Sequence, residues 1–436
     1  MKLKDLKDKS IVVLGLGREG LSVLKFLKKK FPSKIIAAAD KKQYSDLPKN
    51  VDQTFFGENY LSSVNDFDVI VKSPGIPYFS EIRSAKNNGK IITSQTALFL
   101  KNCKGTIIGV TGTKGKSTTA SLIVEALKSG GVEVHFMGNI GSPALDFLKK
   151  DSKDAIFVYE LSSFQLEDLD VSPHIAVMTN IYPEHLDHHG GFSLYAQAKN
   201  NITKFQRPTD YLIYNKDIKE LQVIANGSRA KKISFSKKDK KIVEDLVHKD
   251  AILLLGEFNL LNIIPAILIG RLFKIPDQKI EAAIINFAPL PHRLEFVTEV
   301  LGIRFYNDSL STIPQATVEA LKALGSNVET LIAGGYDRGV DYSILGEAIA
   351  KSQIKNLILF PTTGEKIWQA TLKFSKILPK KFNVNNMKDA VNLAFENTAK
   401  GKIVLLSPAS TSFNLFRDYE DRGNQFKEWV KKLSPN

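Results

Sequence analysis

The segment TIIGVTGTKGKSTT, residues 106–119, joins a short β-branched apolar strand to a glycine-rich turn. Apolar residues at helical spacing follow as far as Leu127, so a strand over Thr106–Thr111 and a helix over residues 117–129 are predicted. A turn between a strand and a helix N-terminus directs several backbone N–H groups, and the positive end of the helix dipole, at one point. The segment therefore predicts an α/β domain that binds phosphate groups.

The chemistry of this turn is that of a P-loop. Glycines let the backbone approach a phosphate closely, the lysine reaches the β- and γ-phosphates, and the hydroxyl after it binds Mg²⁺. The predicted triphosphate-binding residues are Gly112, Thr113, Lys114, Gly115, Lys116, Ser117 and Thr118. Val110 stands where the strict pattern has glycine, so the turn is a variant, and a glycine-rich connection without a ligand is the alternative interpretation.

A second glycine pattern, GLGREG at residues 15–20, follows the apolar run IVVL and opens a helix. Asp40 ends the next apolar run. This arrangement binds the diphosphate of many nucleotides, so a nicotinamide dinucleotide and a nucleotide-diphosphate substrate both fit. The second is favoured, because no motif of dehydrogenase chemistry follows.

Composition limits the class of protein. With 436 residues, 43% hydrophobic and 24% charged, the chain is expected to be globular, with two or three domains. A single cysteine, Cys103, excludes an intrachain disulfide framework and indicates a reducing compartment. The sequence predicts a cytoplasmic protein without membrane insertion. The net charge of +14 is dispersed along the chain, which favours an acidic phosphorylated substrate over nucleic acid.

Strand and helix patterns alternate along the whole chain, which predicts an α/β protein of three domains. A Rossmann-like domain is expected over 1–102, a central P-loop mononucleotide-binding domain over 103–297, and a Rossmann-like C-terminal domain over 298–436. Within the central domain, the run AILLL at 251–255 is predicted to be a strand that precedes a helix.

Several polar residues follow apolar runs of the central domain. Glu160 ends the run DAIFVYE, His185 lies in the loop after IAVMTN, and Lys199 lies on the next helix pattern. Ligands of open α/β sheets bind beyond the carboxyl ends of the strands, so Glu160 is placed to hold Mg²⁺. A histidine in a loop or a lysine on a helix is more often simply solvated than part of a site. Asn259, near the start of a later helix pattern, fits either a helix cap or a contact with a purine ring.

Together the motifs resemble the Mur ligases of peptidoglycan synthesis. The resemblance rests on GLGREG, SPGIP, GVTGTKGKST, GNIG, ELSSFQLE, GEFNLLN, LPHRLEF, YNDS, SPASTSF and RDYEDRGNQF, which cover all three domains in order. ELSSFQLE and the C-terminal segments are far more specific than either glycine pattern. A first domain of about a hundred residues distinguishes the chain from the folylpolyglutamate ligases, which begin near their P-loop.

The resemblance implies an ATP-dependent amide ligase. The γ-phosphoryl group of ATP would pass to the carboxylate of UDP-N-acetylmuramoyl-L-alanine, and the amine of glutamate would attack the acyl phosphate. Catalytic residues would be Lys116, Glu160, His185 and Lys199. Two Mg²⁺ ions would be held by Ser117, Glu160, His185 and Lys199, the last as a carbamate formed with CO₂.

The resemblance also implies which residues bind the substrates. ATP would also contact Asn259 and Asn262 through adenine, and Arg293 and Asp308 as the third domain closes. The UDP-sugar would contact Leu16, Gly17, Arg18, Asp40, Ser73, Pro74, Gly75, Asn139 and His185. Glutamate would contact Thr312, Arg338, Ser412 and Tyr419. The expected partners are these small molecules alone, and the expected oligomeric state is a monomer.

The sequence departs from the family pattern in three places. Leu310 replaces a usual lysine beside the expected glutamate pocket, Phe258 replaces a histidine, and residues 94–96 (Ser94, Gln95, Thr96) replace an acidic segment. Addition of L-glutamate therefore stays open beside addition of D-glutamate. A non-catalytic sensor of sugar nucleotides is the alternative from another class, although a sensor has no need of the metal residues and Lys199.

Overall fold

The computed structural model describes residues 1–45, 47–48, 51–138, 141–374 and 377–433. The chain forms two compact units, one from Met1–Lys249 with Leu260–Asn286 and the other from Asp250–Asn259 with Phe287–Asn436. The first unit holds two sheets and the second holds one. These largely parallel sheets confirm the predicted α/β class, while domain boundaries at 102 and 297 stay a prediction.

The first sheet consists of parallel strands in the order β3-β2-β1-β4-β5. Its strands are β1 (Ile11–Leu14), β2 (Ile36–Asp40), β3 (Gln53–Phe56), β4 (Val69–Lys72) and β5 (Ile91–Thr93), with helices α1 (Arg18–Lys30), α2 (Ser80–Asn87) and α3 (Gln95–Asn102) and short 3₁₀ turns at Leu3–Leu6 and Val64–Asp66. Every residue of β1 is buried, as expected for a central parallel strand covered on both faces.

The GLGREG turn depends on close packing at two of its three glycines, Gly15 and Gly20. Gly15 has φ +86°, and a Cβ on Gly20 would lie 1.8 Å from the carbonyl oxygen of Gly15. Gly17 has φ −63°, and a Cβ there would meet nothing within 4 Å. The turn therefore requires glycine at 15 and 20, whereas position 17 has room for a side chain.

We expect Gly20→Ala to lower the free energy of unfolding by about 2–3 kcal/mol, because backbone must shift to make room for the methyl group. Denaturant unfolding followed by circular dichroism measures this change. Gly17→Ala is the matched control and should cost less than about 1 kcal/mol. Equal losses in the two variants would contradict the packing explanation.

The central sheet is parallel in the order β11-β10-β9-β6-β8-β7. Its strands are β6 (Thr106–Thr111), β7 (Val134–Gly138), β8 (Ile156–Glu160), β9 (Ile175–Met178), β10 (Tyr211–Asn215) and β11 (Lys231–Phe235). Its helices are α4 (Lys116–Ser129), α5 (Ser163–Leu166), α6 (Leu186–His189), α7 (Phe192–Lys204), α8 (Lys219–Gly227), α9 (Lys241–Glu244), α10 (Glu257–Leu272) and α11 (Asp277–Ile285), with 3₁₀ turns at Ala144–Lys150, Lys237–Lys240 and Lys249–Ala251. The predicted strand and helix around the P-loop are confirmed.

Helix α3 joins the cores of the first two sheets. The ring of Phe99 packs edge-to-face on Phe157 at 5.3 Å and on Tyr159 at 5.9 Å. Gln95 accepts a hydrogen bond from the Ala144 backbone, and Thr96 hydrogen-bonds the Tyr159 hydroxyl. The segment that departs from the family pattern therefore ties the two sheets together.

The third sheet has the order β12-β13-β17-β14-β15-β16. Its strands are β12 (Glu295–Val300), β13 (Ile303–Asn307), β14 (Val328–Gly334), β15 (Asn356–Phe360), β16 (Lys380–Asn383) and β17 (Ile403–Leu406), with helices α12 (Pro314–Leu324), α13 (Ser343–Ala350), α14 (Thr363–Leu372), α15 (Met387–Asn397) and α16 (Tyr419–Lys431) and a 3₁₀ turn at Gly325–Asn327. Strand β12 is antiparallel to β13, and the other pairs are parallel. Apolar clusters cover both faces of the sheet.

The strand predicted over residues 251–255 is wrong. Ala251 ends a 3₁₀ turn and the following residues are irregular. Leu253 is exposed, while Leu255 packs against an apolar cluster of the third sheet. A short apolar run fits either a strand or side-chain packing, and here packing satisfies the apolar residues without backbone pairing.

Within the described part of the chain, no helix combines the length and the apolarity needed to cross a bilayer.

Candidate functional site

The predicted residues of the central sheet meet at one edge. Strand β6 lies between β9 and β8, and all three are parallel. The P-loop follows β6, Glu160 ends β8, and the His185 loop follows β9. The carboxyl ends of neighbouring parallel strands share an edge, which is the usual ligand position in open α/β sheets.

The P-loop is held by side chains from neighbouring segments. The amide oxygen of Asn180 accepts the N–H groups of Thr113 and Lys114, at 3.0 and 2.8 Å. Gly115 has φ +81°, and a Cβ there would lie 2.2 Å from the Asn262 side-chain oxygen. Asn262 thus packs directly against the turn, and the positive φ favours glycine at 115.

Lys116 and Ser117 begin helix α4 with their polar atoms at the turn. The Lys116 ammonium donates to the carbonyl oxygens of Gly112 and Thr113 at 2.9 and 3.0 Å. The Ser117 hydroxyl donates to Glu160 Oε1 at 3.0 Å. Thr118 is buried in the first turn of α4, and exposed Lys114 forms an ion pair with Glu184 at 2.7 Å.

Glu160 carries the observation that fits a metal. Its side chain is 1% exposed, and Oε2 is buried without a hydrogen-bond partner. A buried carboxylate oxygen without a partner is costly unless a ligand satisfies it. Together with the Ser117 hydroxyl it offers the hard oxygen ligands that Mg²⁺ prefers.

Lys199 lies buried beneath the P-loop. Its ammonium is 2.9 Å from the Gly112 carbonyl oxygen and 3.3 Å from Thr111 Oγ1. Burial lowers the pKa of Lys199 well below its ordinary value, and the charge of Lys116 lowers it further. A neutral amine is the form that reacts with CO₂, so the surroundings of Lys199 fit a carbamate.

His185 is exposed at the start of helix α6, in the left-handed conformation with φ 55°. The ring of Phe164 contacts His185 at 4.9 Å and also lies against His188 and His189. Burial, with the charges of nearby His188 and His185, lowers the pKa of His189 to about 4.

The first sheet likewise collects its predicted residues at one edge. Asp40 accepts the Leu16 N–H at 2.6 Å, and Ser73 donates to the Gly15 carbonyl oxygen at 2.6 Å. The Arg18 guanidinium donates to the carbonyl oxygens of Gly138 and Gly141. Pro74 and Gly75 follow Ser73 after β4, Gly17 caps α1, and Asn139 lies outside the described residues.

Asn259 is the third residue of helix α10 and donates to the Leu255 carbonyl oxygen at 2.6 Å. It therefore secures the chain that enters the helix, and its contact with adenine stays a prediction, as does that of Asn262.

Arg293 and Asp308 lie together in the second unit. Asp308 accepts the Leu294 N–H at 3.2 Å and the Ser407 hydroxyl at 2.7 Å. Burial raises the pKa of the Asp308 carboxyl to about 6, although these hydrogen bonds and the Arg293 charge act in the opposite direction. An ionised Asp308 is therefore unfavourable in the folded protein unless a further partner stabilises it.

Asp308→Asn should remove a pH-dependent loss of stability. A carboxyl whose pKa rises from 3.8 to about 6 on folding destabilises the fold above about pH 6, and this cost disappears as pH falls towards 3.8. Between pH 4.5 and 7.5 this carboxyl should lower the free energy of unfolding by about 2 kcal/mol. Denaturant unfolding should therefore show that the free energy of unfolding decreases more steeply with pH in the unmodified protein than in the variant. Identical pH profiles of the two proteins would contradict the assignment.

The predicted glutamate residues surround one edge of the third sheet. Thr312, Arg338 and Ser412 follow β13, β14 and β17, which are adjacent and parallel. Tyr419 begins helix α16, and its backbone carbonyl accepts the Ser309 hydroxyl at 2.7 Å. Leu310 lies in the loop with Thr312 and donates its N–H to the His292 carbonyl oxygen.

Arg422 was not among the predicted residues, although it organises this edge. It is fully buried and donates to Ser309 Oγ, the Ser309 carbonyl oxygen and the Ser410 carbonyl oxygen at 2.8–3.0 Å. It thereby joins the loops after β13 and β17. Asn180 was missed in the same way at the P-loop; its position at the end of the apolar run IAVMTN was an available signal.

The comparisons with known proteins agree with this geometry. Residues 9–94 match the model of the Mur ligase MurD-like N-terminal domain, and residues 110–270 match the Mur ligase middle domain. The chain is 35% identical over 459 residues to the UDP-N-acetylmuramoylalanine--D-glutamate ligase of Clostridium botulinum strain Hall, covering 99% of each chain. It is 36% identical to the enzyme of the same name from Clostridium kluyveri, covering 98% of each.

Solved structures share the fold at lower identity. The MurF ligase of Thermotoga maritima in complex with ADP is 17% identical with a TM-score of 0.61, covering 99% of this chain and 96% of that one. The UDP-N-acetylmuramate-alanine ligase MurC of the same organism is 15% identical with a TM-score of 0.60, covering 97% and 99%. Because the Clostridium relatives match over the full length, the chain belongs to the Mur ligase family, the ATP-dependent ligases that extend UDP-N-acetylmuramoyl precursors in peptidoglycan synthesis.

Proposed function

We propose that this ligase joins D-glutamate to UDP-N-acetylmuramoyl-L-alanine, with ATP converted to ADP and phosphate. The names of the Clostridium relatives support the choice of substrates. The observation that carries the catalytic part is the group formed by the P-loop, the buried Glu160 carboxylate with a free Oε2, and the buried Lys199 amine. We place the reaction in the cytoplasm.

The first requirement of this reaction is to offset repulsion between a carboxylate and a triphosphate. The N-terminus of α4 and the backbone N–H groups of the P-loop favour the phosphates. Lys116 exchanges its carbonyl partners for phosphate oxygens, because a cation binds an anion more strongly than a neutral carbonyl.

When bound, two Mg²⁺ ions would supply positive charge to offset the negative charge of the transferred phosphoryl group. We assign Ser117 and Glu160 to the first ion, and His185 with modified Lys199 to the second. Glu160 meets this role because its buried Oε2 needs a partner. Lys199 can act as a metal ligand only after modification, because an ammonium repels a metal ion.

The modification of Lys199 follows from its depressed pKa. The neutral Nζ attacks the carbon of CO₂, an N–C bond forms, and one proton leaves to solvent. The side chain changes from a neutral amine to an anion whose carboxylate oxygens can ligate Mg²⁺.

Substrate binding is assigned to the other two sheet edges. The UDP-sugar is assigned to Gly17, Arg18, Asp40 and residues 73–75, with Asn139 and His185 towards the peptide end. Glutamate is assigned to Arg338, whose cation binds a carboxylate, and to the hydroxyls of Thr312, Ser412 and Tyr419. Functional domains over 1–102, 103–297 and 298–436, acting as a monomer, complete the proposal.

A coupled assay of ADP release tests the proposal. The enzyme is supplied with ATP, Mg²⁺, UDP-N-acetylmuramoyl-L-alanine and either D- or L-glutamate. We expect ADP with D-glutamate, and ADP with L-glutamate alone would assign the L-glutamate variant. No ADP with either amino acid, while the sugar nucleotide still binds, would instead support a sensor.

A further inference from the structure

A second group of metal-ligating side chains lies apart from the residues assigned to Mg²⁺. Glu167 follows helix α5 directly, and His188 and His189 end helix α6. Among the described residues, their ligating atoms form a set that lies within 4.8 Å of one another. The reaction proposed above uses none of the three.

The distances in this cluster are too long for hydrogen bonds and suit ligands of one ion. His188 Nε2 is 3.5 Å from Glu167 Oε2, and His189 Nδ1 is 3.6 Å from Glu167 Oε1. Nitrogen and oxygen ligands about 2.0–2.1 Å from a tetrahedral ion lie roughly 3.4 Å apart. A cation between the three side chains therefore needs little movement of them.

The surroundings orient these ligands. His189 Nε2 is 3.0 Å from Ser163 Oγ, and this hydrogen bond leaves Nδ1 directed at Glu167. Metal-binding histidines commonly have their second nitrogen fixed in this way. Glu167 Oε2 is buried without a hydrogen-bond partner.

Lys72 is the cation beside the cluster. Its ammonium lies 3.9 Å from Glu167 Oε2 but only 3.2 Å from Asp168 Oδ2, and it donates to the Ile76 carbonyl oxygen. Asp168 therefore balances much of the Lys72 charge. Glu167 and Asp168 also line a cavity of about 370 Å³, whose other lining residues include Arg83 and Lys86.

We propose that Glu167, His188 and His189 form a binding site for a zinc-class divalent transition metal, separate from the Mg²⁺ sites. Two imidazoles and one carboxylate are a ligand set typical of zinc, whereas Mg²⁺ is bound mainly by oxygen. Solvent completes the coordination. The metal links the segment after Glu160 to the helix after His185, so its binding stabilises both loops.

Titration of the metal-free full-length protein with Co²⁺, in excess Mg²⁺, tests this site. Mg²⁺ occupies oxygen-rich sites, while Co²⁺ bound by nitrogen ligands with low coordination number absorbs visible light strongly. We expect one equivalent of Co²⁺ to produce this absorption, Zn²⁺ to abolish it by displacement, and the melting temperature to rise with the metal.

Two variants and one control locate the site. His188→Ala and Glu167→Gln should each lower Co²⁺ affinity at least tenfold, as loss of one of three protein ligands requires. His248→Ala removes an exposed histidine elsewhere and should leave the titration unchanged. Absence of the absorption in the unmodified protein, or an unchanged titration in His188→Ala, would overturn the proposal. The His188 side chain is only partly buried, so that variant decides the matter even if Glu167→Gln does not fold.

Discussion

Replacement of Lys199 by alanine is expected to lower the turnover number of the ligase by about a thousandfold, the scale of losing one group that stabilises transition-state charge. The carbamate proposed at Lys199 adds a negative ligand beside the phosphoryl group. Without it, the second metal ion loses an anchor, while the P-loop keeps its hydrogen bonds with Asn180 and Lys116. We therefore expect the binding of ATP to change much less than turnover, measured by ADP release and by direct nucleotide titration.

Lys204→Ala is the matched control, because Lys204 is an exposed lysine on the same helix. Its turnover should stay within about twofold of the unmodified enzyme. Depletion of CO₂ from the buffer should also lower the activity of the unmodified enzyme, and bicarbonate should restore it. Near-normal turnover of Lys199→Ala would remove the carbamate from the mechanism.

Replacement of Glu160 by glutamine should reduce turnover by about a hundredfold or more, because a neutral amide cannot replace a carboxylate ligand of Mg²⁺. Glutamine keeps the shape of the side chain and can still accept the Ser117 hydrogen bond. The variant should need a higher Mg²⁺ concentration for half-maximal rate. A series of ADP-release assays across Mg²⁺ concentrations measures both effects.

The stability of Glu160→Gln distinguishes a metal role from a structural one. The exchange removes a buried charge whose Oε2 lacks a hydrogen-bond partner, so the metal-free melting temperature should be unchanged or higher. Glu125→Gln, an exchange on the solvent side of helix α4, should alter neither property. A large fall in melting temperature for Glu160→Gln, with an unaltered Mg²⁺ requirement, would indicate that Glu160 acts only in the fold.

Patterns that are local in the chain predicted the fold well. The strand, turn and helix around the P-loop depend on glycine, β-branched residues and helical spacing within about 25 residues, and the structure has them as Thr106–Thr111 and Lys116–Ser129. The run at 251–255 failed because five apolar residues do not distinguish a strand from a segment that packs by its side chains.

The antiparallel edge strand β12 and the buried Arg422 were not predicted, since each acquires its role from a distant partner. Strand β12 is defined by its pairing with β13, and Arg422 donates to backbone and side-chain oxygens more than a hundred residues away. Neither relation has a fixed spacing in the chain. Only a motif resemblance pointed to the segment that contains Arg422.

The sequence by itself determined the α/β class, the phosphate-binding turn, and the polar residues at the strand ends, because these depend on residue type and short spacing. The tertiary structure alone decided which of those residues share an environment. It buried Glu160 against Ser117 and left Oε2 without a partner, and it buried Lys199 beneath the P-loop so that its pKa falls. The physical reason is that burial and electrostatics depend on distances in space between segments far apart in the chain.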